Sequence, residues 1–176
     1  MAIVLKYVSE GEDYFNNFLI DKLRKHEGKV CYITLNQTCV TLKKILTENK
    51  VDVKDFCFID GLTKLSKEPD NNAQCRFVLP YEINEIEKYT LECIKSGCNL
   101  IIFDSLSNLT RYQQYIPAGA DIMTNSINFL NNELDKNKGE AIFICKLSDK
   151  NNLLIEETIK IFKICNYGKG NTSCEI

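Results

Sequence analysis

Five short, almost uninterrupted apolar runs punctuate this chain: residues 3–8 (IVLKYV), 30–35 (VCYITL), 56–59 (FCFI), 99–104 (NLIIFD) and 141–146 (AIFICK). A strand with one wet face alternates apolar and polar residues, whereas a strand covered on both faces reads as a continuous run. Between these runs the apolar residues recur at helical spacing instead. Phe15, Phe18, Leu19 and Leu23 precede Gly28; Leu42, Ile45 and Leu46 form a short stripe; Ile83, Ile86, Thr90 and Ile94 precede Gly97. Met123, Ile127, Leu130 and Leu134 precede Gly139, and Ile155, Ile159 and Phe162 make a last stripe. Buried strands alternating with crossover helices predict an α/β fold: a three-layer sandwich of a mostly parallel sheet with helices on both faces.

The intervening punctuation supports this order. Residues 61–74 are polar and contain Pro69, which predicts a surface loop, with a short strand at 75–78 before Pro80. A further edge strand is expected around 163–167. At 176 residues the chain has the size of one domain, expected over 1–167, with 168–176 as a flexible C-terminal tail.

Composition excludes several classes of function. Lys and Arg total 22 against 24 acidic residues, with no basic cluster able to neutralise a row of phosphates, which argues against nucleic acid. No apolar stretch nears the roughly 20 residues of a membrane span, and the first residues lack the pattern of a signal peptide. The nine cysteines, at 31, 39, 57, 75, 93, 98, 145, 165 and 174, form no CxxC pair. Most lie in apolar runs, where they read as small buried hydrophobes, and no metal site is expected. Free thiols and absent targeting signals place the expected compartment in the cytoplasm. His26, the single histidine, reads as a solvated helix end.

In a doubly wound sheet ligands sit beyond the carboxyl ends of the strands. Three such ends are chemically marked: residues 9–13 after the first run, Asn36 and Gln37 after the second, and Asp104 with Ser105 after the fourth. An acid at the tip of a buried strand is where nucleotide-binding proteins position Mg²⁺; the alternative is that Asp104 caps the next turn.

Residues 99–112, NLIIFDSLSNLTRY, resemble the Walker B strand and following segment of RecA-like ATPases, in particular the archaeal KaiC-like branch. Residues 29–60 are similar to the family's preceding strand, helix and strand, and residues 76–94 to its polar loop, proline and helix. The resemblance implies a RecA-like sheet, and it makes the departures informative. Where the family carries a phosphate-binding glycine loop ending in Lys and Ser or Thr, this chain has Glu10, Gly11, Glu12 and Asp13. Each carboxylate would repel a triphosphate by about 1 kcal/mol at 4 Å even in water. Where active members carry glutamates to activate water, this chain has the amides Asn36 and Gln37, which cannot accept a proton from water at neutral pH.

These departures imply a degenerate phosphate loop, a lost general base and a vestigial Walker B site at Asp104 and Ser105. The expected function is a non-catalytic regulatory or scaffolding module that binds a protein partner or a second copy of itself, with no catalytic residue and no cofactor. The alternative is an ATP-binding or weakly hydrolysing ATPase, with ATP and Mg²⁺, that uses an unconventional loop. Arg111, Tyr112 and Tyr115 lie in a stretch that resembles the segment after Walker B that contacts neighbours or DNA in RecA-like assemblies. Their residue types are also those enriched at binding hot spots.

Overall fold

The computed structural model describes residues 3–8, 18–66, 69, 73–116, 119–149, 151–153, 155–156, 163–168 and 171–175. The strands are β1 (Ile3–Val8), β2 (Lys29–Thr34), β3 (Phe56–Asp60), β4 (Cys75–Phe77), β5 (Cys98–Asp104), β6 (Glu140–Lys146), β7 (Lys163–Gly168) and β8 (Asn171–Glu175). The helices are α1 (Ile20–Lys25), α2 (Cys39–Glu48), α3 (Ile83–Lys95), α4 (Leu106–Thr110) and α5 (Gly119–Asn137). Among the described residues the eight strands form one sheet in the order β4-β3-β2-β5-β6-β1-β7-β8. Every pairing from β4 to β7 is parallel, and β8 alone runs antiparallel, against β7.

The apolar runs are buried on both faces because each supplies two cores at once. In β2, Cys31 and Ile33 point to one side while Val30 and Tyr32 point to the other. In β5, Ile101 and Phe103 divide from Leu100 and Ile102 in the same way, as do Phe143 and Ile142 in β6. The first side is covered by α3, α4 and α5 through Ile83, Ile86, Leu106, Leu109, Met123, Ile127, Leu130 and Leu134. The second is covered by α1 and α2 through Leu19, Ile20, Leu23, Leu42 and Leu46. Each fully buried Leu, Ile or Phe contributes about 1.5–3 kcal/mol. Phe103 and Phe143, opposed in register, stack at 5.1 Å across the β5–β6 pair.

The stripes expected at 83–94 and 123–134 are the buried faces of α3 and α5. Gly97 turns the chain out of α3 at φ +99°, a conformation that costs any residue with a Cβ. His26 follows α1, half-buried, with its Nε2 2.9 Å from Asn99 Oδ1, so it is tied to β5 and is not a fully solvated helix end.

Two sequence expectations meet a different structure. Cys39, at the first turn of α2, is disulfide-bonded to Cys75 of β4. The expectation of free thiols is corrected for this pair, which the chain leaves 36 positions apart and the β3–β4 pairing brings together. The segment expected as a tail contains β8, whose Cys174 lies opposite Cys165 of β7. No helix among the described residues is long and apolar enough to cross a membrane.

Candidate functional site

The chain leaves β2 toward β3 and β4 on one side, then returns to β5 and continues to β6 on the other. The reversal puts a crevice outside the carboxyl ends of β2 and β5, the place where open α/β sheets bind ligands. It also brings together two pairs of residues singled out separately in the sequence. Thr34 is in register with Asp104, and the Leu35 amide donates to the Asp104 carbonyl at 2.5 Å. Asn36 and Gln37 therefore stand beside Asp104 and Ser105.

The side chains in this crevice are engaged with the protein itself. Asp104 is fully buried and accepts a hydrogen bond from the Tyr32 hydroxyl at 3.1 Å. The alternation of β5 places it on the side of Leu100 and Ile102, toward α1 and α2. The cap of the next turn is Ser105 rather than Asp104: its Oγ accepts from the Asn108 amide at 3.2 Å as N-cap of α4. The Asp104–Ser105 peptide is cis.

Asn108 bridges the crevice. Its Nδ2 donates to the Leu35 carbonyl at 2.8 Å and to Asn36 Oδ1 at 3.0 Å. Ser107 reaches the next strand end, accepting from the Lys146 amide at 2.7 Å and donating to the Cys145 sulfur at 3.6 Å. Thr34 folds the loop after β2 back on itself, its Oγ1 donating to the Gln37 carbonyl at 2.6 Å and accepting from the Gln37 amide at 3.1 Å. Gln37 Oε1 is buried with no hydrogen-bond partner among the described residues. Three strand ends are thus laced together by α4 and one loop.

Tyr32, Ser107 and Asn108 were not among the expected site residues. Tyr32 shares the parity of Asp104 in a neighbouring strand, but strand order is needed to see it. Ser107 and Asn108 lie in the quoted stretch DSLSNL without a motif to mark them. Glu10, Gly11, Glu12 and Asp13 lie outside the described residues.

Arg111, Tyr112 and Tyr115 follow α4. Tyr112 and Tyr115 gather on Tyr81, with ring centroids at 6.3 and 5.3 Å. Tyr115 is 57% exposed, and Arg111 is exposed as well. Next to them runs a groove of about 330 Å³ lined by Tyr81, Glu82, Ile83, Asn84, Glu85, Ile116 and Ile122.

Among the described residues no group of three or more His, Cys, Asp or Glu is arranged to hold a metal ion. The strand order, the parallel pairing and the helices on both faces define a RecA-like α/β three-layer fold. In keeping with it, the chain is similar in structure to a KaiC-like protein of the hyperthermophilic archaeon Pyrococcus horikoshii OT3. The TM-score is 0.62 at 14% sequence identity, over 97% of this chain and 74% of that one. No family model matches the sequence, and neither does any curated protein.

Proposed function

We propose that this chain is a non-catalytic RecA/KaiC-like domain that works as a regulatory or scaffolding module through protein–protein contact. The observation that carries this reading is the crevice between β2 and β5. Its acid, Asp104, is buried beneath the Tyr32 hydroxyl, and Asn108 spans it to Leu35 and Asn36. A carboxylate that organises Mg²⁺ must face the ligand or its waters, and here it is fully buried and accepts from a tyrosine hydroxyl. Glu10, Glu12 and Asp13 supply negative charge where a phosphate loop needs amides and a lysine. Asn36 and Gln37 supply no general base. The contact surface is assigned to Arg111, Tyr112 and Tyr115 with Tyr81: the three rings gather there, and Arg111 and Tyr115 are exposed.

A ligand that binds only the folded state raises stability by RT ln(1 + [L]/Kd). Mg-ATP at millimolar concentration should therefore leave the melting temperature unchanged. A rise of several degrees, abolished in Asp104→Ala, would instead establish the ATP-binding reading with its unconventional loop.

A further inference from the structure

Four of the free cysteines meet on the α3 side of the sheet. Cys31 of β2 is in direct register with Cys57 of β3, and Cys98 opens β5, which pairs with the other edge of β2. Cys93 in α3 packs in the same buried cluster as Cys31 and Cys98, and Cys57 packs against that cluster. Cys31, Cys93 and Cys98 are buried at 0%, 4% and 3% exposure, whereas Cys57 is half-buried. Solvent therefore reaches this cluster through Cys57.

The surroundings of Cys57 favour its thiolate. The Cys93 thiol donates to it and the Arg76 guanidinium attracts it, against burial and the Glu92 carboxylate, and its pKa is held down to about 7. Arg76 is in register with Ile59 on β4, one same-face step from Cys57. Cys93 is the opposite case, raised by its three sulfur neighbours and by burial. An accessible, low-pKa thiol beside a buried thiol is the arrangement of a redox-responsive cysteine and its resolving partner. The described residues arrange no metal-holding group here.

We propose that Cys57 is a peroxide-sensitive thiol with Cys93 as its resolving partner, so that oxidation joins β3 to α3 by a disulfide. The Cys57 thiolate attacks one oxygen of hydrogen peroxide, the O–O bond breaks, and Cys57 becomes a sulfenic acid as the departing oxygen takes a proton to leave as water. The Cys93 sulfur then displaces hydroxide from the Cys57 sulfur, and the proton released by Cys93 makes the second water. Two thiols lose two electrons and two protons, and one peroxide is reduced to two waters.

The test uses the full chain purified under nitrogen, without reductant. In the absence of peroxide, iodoacetamide at neutral pH should modify Cys57 about tenfold faster than buried Cys145. Hydrogen peroxide should then give a Cys57–Cys93 peptide on non-reducing mass-spectrometric mapping. Cys57→Ser should abolish that cross-link, and Cys93→Ser should leave Cys57 as a sulfenic acid trapped by dimedone. Should Cys93→Ser not fold, the alkylation order in the parent chain still decides. Slow alkylation of Cys57, cross-links confined to other cysteines, or a co-purifying zinc ion that protects all four thiols overturns the proposal.

Discussion

The Tyr32 hydroxyl, on β2, donates to the Asp104 carboxylate, on β5, and both residues are at 0% exposure. The bond crosses the point where the order of the sheet reverses, so it ties the two halves of the sheet at the carboxyl ends of their strands. It also commits the acid at the tip of β5 to the interior. Tyr32→Phe keeps the ring, which lies 6.3 Å from Phe58, and removes the donor. A buried polar group deprived of a partner costs about 1–3 kcal/mol. Urea denaturation of the variant at neutral pH should show a loss of that size, with an unchanged dependence on urea concentration.

Asn108 offers a sharper test of how the crevice is held shut. Asn108→Ala deprives the Leu35 carbonyl and Asn36 Oδ1 of a shared donor. The expected loss is again about 1–3 kcal/mol, and amide hydrogen exchange should rise first in residues 35–37 and 105–109. Uniform acceleration across the whole sheet would show that Asn108 does not act locally.

Lys6 predicts a pH dependence. It lies in β1 with its ammonium 4.1 Å from the Phe18 ring centre, and burial holds its pKa down to about 8 against an ordinary 10.5. Between those values the unfolded chain holds a proton that the folded chain has released. Stability contributed by this group therefore rises with pH from about 8 to about 10.5, and the burden of a buried charge is fully present below 8. Lys6→Met removes the titration. Its stability relative to the parent should be greatest at pH 7 and decline as pH climbs to 10, measured by urea unfolding at each pH.

Tyr115 separates contact from folding. Its ring is 57% exposed, and surface substitutions of that kind usually change stability by less than about 0.5 kcal/mol. Tyr115→Ala and Arg111→Ala should leave the melting temperature nearly unchanged while weakening self-association or partner capture by roughly tenfold or more. Sedimentation velocity over a concentration series reads the first outcome directly.

Much of the architecture is legible in the sequence because it depends on local pattern. Residues 99–104 and 141–146 carry no polar interruption, and so announce strands covered twice; residues 83–94 carry their stripe at the period that α3 buries. What sequence cannot order is lateral adjacency. That β5 lies between β2 and β6 follows from the crossovers, and without it Tyr32 cannot be matched to Asp104 nor Asn108 to Leu35. The same gap hides the cysteine partners: Cys39 and Cys75 stand 36 positions apart, and Cys57 and Cys93 also sit on different elements. Asp104 illustrates the boundary well, since its position at a strand tip is readable while the direction of its carboxylate is not.

The short β4 bears on how this domain can meet another. A sheet edge is an open template whose amides and carbonyls recruit any passing strand. Here that edge is three residues long and is pinned to the start of α2 through Cys75. A neighbour adding a strand there would find almost nothing to grip, which steers assembly away from ribbon-like growth along the β4 side.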